Sequence, residues 1–205
     1  MLTLHLRALA LPEVLTGLVE MRRPAAEERG LSFTLKVSDR LPLLDADPDL
    51  LSEVLGSLLD NVVQHARPGP VHISAVESSD RRRVRITLGN RAEALTSEQM
   101  ERLFDRFYRP DPSRARATGG SGLGLAIARE LTMAHGGRLS ARYEEAATAK
   151  PDEGVLGGGV SAGGVPPATS VPATSVRAGS AEPGWLEFRL EWPAARTTGP
   201  GAPPP

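Results

Sequence analysis

Three polar side chains that can do chemistry lie four residues apart in the segment 48–66. Ser57, Asn61 and His65 recur at helical spacing, while leucines and valines fill most of the positions between them. Residues four apart stack on one side of a helix, so these three would form one polar face. The amide oxygen of Asn61 is a suitable ligand for Mg²⁺, which takes few protein ligands and completes its shell with phosphates and water. A solvated polar stripe is the alternative interpretation of this segment taken alone.

A glycine-rich segment at 119–127 leads directly into a predicted helix. Glycines let the backbone approach a ligand closely, and the N-terminus of a helix presents N–H groups and a dipole that favour phosphate. The segment is not a Walker loop, because no Lys-Ser/Thr pair follows it. It does not follow a strand either, which argues against a dinucleotide fingerprint. The motif therefore favours a phosphate-bearing ligand of another kind.

An aromatic and arginine-rich stretch at 103–109 precedes the glycines, and a polar, turn-prone segment connects the two. This composition is typical of a mobile lid over a binding site. Arg109, Arg114 and Arg116 can reach phosphate oxygens from such a lid. A solvated loop is the alternative for the arginines, and core packing is the alternative for the aromatic residues.

Helices and strands alternate along the chain and must position these residues. Apolar periodicity and capping signals predict helices over 12–29, 48–66, 96–104 and 122–135. Alternation of apolar and polar residues predicts strands over 31–37 and 185–192. Residues 71–76 and 84–88 are two further predicted strands, and residues 138–143 are predicted to pair with 185–192 as a hairpin with a greatly lengthened turn. Helices mixed with adjacent pairs of strands predict an α/β fold: a two-layer sandwich whose mixed sheet carries helices on one face.

Composition excludes several classes of function. The chain has 205 residues, a formal net charge of −1 and no cysteine. The charge balance argues against a nucleic-acid partner held by a basic face, and the lack of cysteine excludes disulfides and thiolate metal sites. No apolar run approaches the roughly 18 residues that cross a bilayer, and no secretory signal is visible. We therefore expect a cytoplasmic protein with no membrane segment in this chain.

Glycine and proline mark the segments that we expect to lie outside the fold. Residues 150–184 are rich in both and repeat the sequence Pro-Ala-Thr-Ser-Val at 167–171 and 172–176, which predicts a flexible insertion. Residues 193–205 predict a disordered tail, and residues 1–10 an N-terminal remnant or linker. The predicted organisation is one domain over 11–192, interrupted by the insertion.

Taken together, the order and spacing of these motifs resemble a known family. Residues 58–66 look like the asparagine box of the ATP-binding catalytic domain of bacterial sensor histidine kinases, in the GHKL ATPase group. Residues 104–109 resemble its phenylalanine box and residues 120–125 its second glycine box. The sequence Ala-His-Gly-Gly at 134–137 follows, as is usual in that family. The resemblance covers about residues 11–143 plus the strand at 185–192.

The resemblance implies a site for ATP and Mg²⁺. Asn61 would bind Mg²⁺ and position Mg-ATP through it, with no side chain assigned as a covalent catalyst. His65 would lie near the ribose or phosphates, and Arg109 would begin the lid. The implied ATP-binding residues are Ser57, Asn61, Gln64, His65, Asn90, Ala92, Ala94, Phe107, Arg109, Gly120, Gly122, Leu123, Gly124 and Leu125.

The chain departs from the family at its first glycine box, Asp-x-Gly-x-Gly. Asn90 stands where the family has the Asp that accepts the adenine amino N–H, and Ala92 and Ala94 replace the two glycines. An Asn carbonyl still accepts a hydrogen bond, but without the help of charge. Alanine disfavours the positive φ that glycine allows, so we expect a loop that follows another path. Gln64 and Ser57 also replace a Lys and an Asn of many relatives.

The implied function is the catalytic domain of a two-component histidine kinase, an enzyme that passes the γ-phosphoryl of ATP to a histidine. Ser57 stands where gyrase-type relatives carry a general-base Glu, so ATP hydrolysis in that style is not expected. His5 lacks the acidic neighbour and helical hairpin of an acceptor, so the acceptor is expected on a separate dimerisation module that serves a response regulator. We expect a monomer in isolation. The alternative is a degenerate nucleotide-binding regulatory module without phosphotransfer.

Overall fold

The structure is a computed structural model that describes residues 2–38, 40–109, 121–145 and 183–195. Gly120, Arg114, Arg116, most of the predicted insertion and residues 196–205 of the predicted tail lie outside the described residues. The domain boundaries given above therefore remain predictions.

A five-stranded mixed sheet forms one layer. Its strands are β2 (Leu31–Val37), β4 (Gly69–Glu77), β5 (Arg83–Ala92), β6 (Arg138–Glu144) and β7 (Gly184–Pro193). They lie in the order β2-β4-β5-β7-β6. β2 and β4 are parallel, and the other neighbours are antiparallel. The predicted hairpin between residues 138–143 and 185–192 is confirmed, with Leu139 opposite Leu190.

In the part of the chain that the structure describes, the other layer consists of the helices α1 (Leu11–Glu28), α2 (Pro48–His65), α3 (Ser97–Glu101) and α4 (Gly124–Ala134). The sheet faces them with alternate residues, such as Ile73 and Ile86, which are buried, and turns polar residues such as Thr34 to solvent. Period-two alternation places successive side chains on opposite faces, so only one face joins the core. The two-layer sandwich with helices on one face is confirmed.

Capping residues set where the helices begin. Asp47 caps α2, its carboxylate accepting from the N–H groups of Asp49 and Leu50, with Pro48 in the first turn. Thr96 caps α3 through a reciprocal pair of hydrogen bonds with Gln99. A side-chain oxygen at this position satisfies N–H groups that have no partner within the helix, so both helices begin close to where the capping signals predict.

A small antiparallel sheet of β1 (Arg7–Leu9) and β3 (Leu44–Ala46) stands beside the main one. Three-residue strands carry too little pattern to be recognised in a sequence, and the sequence analysis did not find them. β1 lies in the segment that we assigned to an N-terminal remnant or linker. Its pairing with β3 places residues near the start of the chain next to the N-terminal end of α2.

Candidate functional site

The polar face of α2 lies where the sequence placed it. Ser57 and Asn61 are half-buried, and His65 and Gln64 are exposed near the end of the helix. The opposite face is fully buried in the core through residues such as Leu55 and Leu58. Packing of that apolar face fixes the rotation of α2, so the core decides which way Ser57 and Asn61 point.

The N-terminus of α4 meets α2 at this polar face. A Cβ added at Gly124 would lie 3.9 Å from the Oγ of Ser57, which is ordinary van der Waals contact. Leu123 and Leu125, on either side of Gly124, are half-buried. The structure therefore brings the second glycine box against the asparagine-box helix. It leaves the free N–H groups of the first turn of α4 beside the polar stripe.

Gly122 joins the glycine segment to the phenylalanine box. Its φ is +70°, and a Cβ there would lie 3.0 Å from the backbone of Phe107. Its carbonyl accepts a hydrogen bond of 2.9 Å from the N–H of Phe107. Phe107 itself has a φ of +64° and is 71 % exposed. Only glycine fits position 122 without strain. Backbone contacts between Gly122 and Phe107 therefore join the two ends of the predicted lid at its base.

Asn90 lies on the helix-facing side of β5, next to Val71 of β4 and Leu186 of β7. It is 2 % exposed, and its Nδ2 donates to the carbonyl of Arg91 at 2.9 Å. Its Oδ1 is buried and has no hydrogen-bond partner. A buried acceptor without a donor is costly, and such a group in a native fold calls for a ligand or another compensation.

The expectation of a redirected loop at 90–94 is wrong for its first half. β5 continues as a regular strand through Ala92, which is buried and pairs with Gly184. Ala94 lies beyond the strand and is exposed. Alanine prefers extended backbone to positive φ, and the neighbouring β7 offers a partner, so a strand is favoured at Ala92.

Positive charge gathers at the C-terminal end of α2. His65 keeps part of its surface in water, but partial loss of hydration lowers its pKa, and the cations Arg109 and Arg29 lower it further. Arg29 also donates from Nη2 to the carbonyl of Gln64 at 3.0 Å. Arg109 at the base of the lid and His65 on the helix are thus close enough to influence one another, and an anion here would meet several cations.

The region matched by a known family covers this whole arrangement. Residues 46–195 match the family described as "Histidine kinase-, DNA gyrase B-, and HSP90-like ATPase". The chain belongs to this ATPase family. The resemblance drawn from its motifs is confirmed.

Relatives of this ATPase domain are sensor kinases. It is 38% identical over 136 residues to the signal transduction histidine-protein kinase BaeS of Escherichia coli, covering 64% of this chain and 29% of BaeS. It is 37% identical over 123 residues to the sensor protein VanSC of Enterococcus gallinarum, covering 60% of this chain and 33% of VanSC. The chain thus spans about a third of the length of these relatives.

The fold of the ATPase domain matches solved kinases as well. Full-length ShkA, crystallised in complex with AMPPNP, superposes with a TM-score of 0.66 at 24% identity, over 97% of this chain and 33% of that one.

None of the helices in the described parts of this chain is long and apolar enough to cross a membrane.

The structure brings six of the predicted ATP-binding residues together in pairs. Ser57 lies against Gly124, Gly122 against Phe107, and His65 near Arg109. Two of the predicted residues do not reach into the site as side chains: Ala94 is exposed beyond β5, and the ring of Phe107 points to solvent.

Sequence reasoning missed the buried junction at the other end of these helices. His135 follows α4, as expected, but its ring is 8 % exposed and its Nε2 accepts from the N–H of Asp47 at 3.2 Å. The N–H of His5 donates to the Asp47 carboxylate at 2.9 Å and lowers the pKa of that carboxyl. The available signal was His-Gly-Gly after a helix, which does not reveal a partner 88 residues away.

Proposed function

We propose that this domain binds Mg-ATP between α2 and α4 and donates the γ-phosphoryl to a histidine on a separate dimerisation module. The observation that carries the proposal is the unpartnered Oδ1 of Asn90, buried on the helix-facing side of β5. An adenine amino group offers the N–H donor that this oxygen lacks. The match to the ATPase family and the AMPPNP complex of ShkA support the choice of nucleotide.

The residues present fit an adenine nucleotide at its other end too. The charges of Arg109 and Arg29 face the end of α2, where they can neutralise phosphate oxygens. Asn61, half-buried one turn before His65, offers an amide oxygen to Mg²⁺. The first turn of α4 adds free backbone N–H groups next to Ser57. In this proposal they hold the phosphates, and Asn90 holds the base.

In the transfer reaction, bound Mg-ATP supplies the phosphoryl group and the divalent charge that stabilises it. The chain itself contributes orientation and charge neutralisation, which are the main protein contributions to phosphoryl transfer. Asn90 fixes the base, and Arg109 holds charge at the phosphate end. Ser57 cannot deprotonate water at neutral pH, so the arrangement favours transfer to a protein acceptor over hydrolysis. A response regulator would receive the phosphoryl group from that acceptor.

A degenerate regulatory module remains a second candidate because one observation favours it. β5 runs straight through Ala92 and pairs with Gly184, so this stretch lacks the glycine turn of the first glycine box. The neutral Asn90 also holds adenine less strongly than a carboxylate would. Such a module would bind nucleotide weakly and would transfer no phosphate.

Titration with ATP and Mg²⁺ tests the binding step, followed by thermal shift or a fluorescent nucleotide. We expect binding tighter than millimolar, lost in Asn61→Ala and retained in Glu53→Ala, which changes an exposed residue on the same helix. No thermal shift at several millimolar ATP would refute a working site. Radiolabel transfer from ATP to a purified dimerisation module then separates the kinase from the regulatory module, which binds but does not transfer.

A further inference from the structure

The two helices that flank the proposed nucleotide site meet at both ends of α4. At one end, Gly124 of α4 lies against Ser57 of α2. At the other end, His135 follows α4 and contacts Asp47, the residue that caps α2. The two contacts are eleven residues apart along α4, or about 16 Å at helical rise. The helices therefore run in opposite directions and are fastened at two separate points.

The hydrogen bonds of the His135 ring define its protonation. Nδ1 lies 2.8 Å from the carbonyl of Leu131, so Nδ1 must carry the hydrogen and donate. Nε2 then has a free lone pair, which accepts the N–H of Asp47 at 3.2 Å. The ring also packs on Trp192, with 4.5 Å between the ring centroids, and the indole N–H donates to the carbonyl of Asp45. This one tautomer gives both ring nitrogens and the N–H of Asp47 a hydrogen-bond partner.

We propose that His135 is a positioning residue for the nucleotide site. By accepting the Asp47 N–H, it holds the C-terminal end of α4 against the N-terminal end of α2 and so fixes the angle between the helices. α4 also packs along α2 between these two points through buried residues such as Ala128, so the His135 bond sets the position of its C-terminal end, and loss of the bond frees that end to shift. The inference rests on the proposed function only for the identity of the ligand, because His135 sets the angle between the helices whether or not nucleotide is bound.

Loss of the acceptor has two consequences. The N–H of Asp47 becomes a buried donor without a partner, which favours displacement of the helix end toward water. If the binding-competent arrangement then falls to about one-tenth of the molecules, the apparent Kd for ATP rises about tenfold. Glutamine can restore the bond, since its side-chain oxygen accepts and its amide can donate to Leu131.

The first measurement uses the unmodified protein. Long-range ¹⁵N–¹H NMR of the histidine rings, with His135 identified by its loss in His135→Gln, is expected to show hydrogen on Nδ1 and none on Nε2 near pH 7.5. Hydrogen on Nε2 would overturn the proposal, because that nitrogen could then not accept from Asp47.

The second measurement is a distance between the helices. The chain has no cysteine, so Glu53→Cys and Met133→Cys place spin labels at exposed sites on α2 and α4. In the absence of nucleotide, we expect a broader and longer distance distribution in His135→Phe and a return toward wild type in His135→Gln. An unchanged distribution in His135→Phe refutes the proposal, whether or not the domain binds ATP.

The third measurement is the Kd for ATP, with Leu35→Ala as the matched control. Leu35 packs on the core from β2, at the opposite edge of the sheet from β6, so its loss lowers stability without touching the junction. We expect about tenfold weaker binding in His135→Phe, rescue in His135→Gln and no change in Leu35→Ala. Equal weakening in Leu35→Ala would mean that general destabilisation is the cause and would overturn the proposal. No ATP binding in any variant, with the distance change present, would refute the proposed function alone.

Discussion

Replacing Asn90 by leucine should separate the stability of the domain from its affinity for ATP. Leucine has the same branched arrangement of heavy atoms, so the substitution removes polarity with little change of shape. The buried Oδ1 has no partner, and relief of such a group returns about 1–3 kcal/mol. Loss of the Nδ2 bond to the Arg91 carbonyl costs about 0.5–1.5 kcal/mol. That carbonyl keeps a bond of 2.8 Å from the N–H of Arg67, so it is not left unsatisfied.

The free energy of unfolding should therefore stay level or rise by up to about 2 kcal/mol, as measured by urea denaturation without nucleotide. ATP loses its base acceptor, and a buried amino group without a partner costs about 1–3 kcal/mol. This corresponds to about 5- to 150-fold weaker binding by calorimetry. Asn90→Asp is the contrasting variant: an unpaired buried carboxylate lowers stability, while a charge-assisted bond tightens ATP.

Two results would contradict this reasoning about Asn90. Unchanged ATP affinity in Asn90→Leu would mean that the side chain does not face the base. A loss of more than about 2 kcal/mol of stability would exceed the cost of the single bond given up and would mean that Oδ1 already has a partner in the folded protein.

Three further substitutions test the site by stability and pH. Gly122→Ala places alanine at a positive φ, with its Cβ 3.0 Å from the Phe107 backbone. We expect the free energy of unfolding, measured by urea denaturation, to fall by about 1–2 kcal/mol. Gly17→Ala is the control and should gain a little stability, because a Cβ there meets nothing within 4 Å. Phe107→Gly relieves positive φ on a mostly exposed residue, so stability should rise by about 1 kcal/mol, and a decrease would show that the ring packs. The lowered pKa of His65, due to lost hydration and then to neighbouring arginines, means that the unfolded state takes up the proton first as pH falls below 6.5. Wild type should therefore lose stability relative to His65→Gln between pH 7 and 5, and parallel pH profiles would refute this.

The elements of the fold were largely predictable from local sequence. Strict alternation in 31–37 and 185–192 gave strands at those positions, and Asp47 followed by Pro48 marked the start of α2. These signals are local because each depends on side chains a few residues apart. The same holds for the order of the asparagine, phenylalanine and second glycine boxes, which indicated the family.

Contacts between distant segments had no such signal. The path of residues 90–92 depended on the availability of β7 as a partner, about a hundred residues later, and the structure replaced the expected loop by a strand. The bond between Asp47 and His135 joins residues 88 apart.

The sequence by itself determined which residue types the site could use and which elements would carry them. Only the tertiary structure decided that Asn90 is buried with a free acceptor, that Gly124 meets Ser57, and that His135 fastens α4 to α2. The physical reason is that periodicity and capping act within one element, whereas burial and partner choice are set by the packing of several elements against each other.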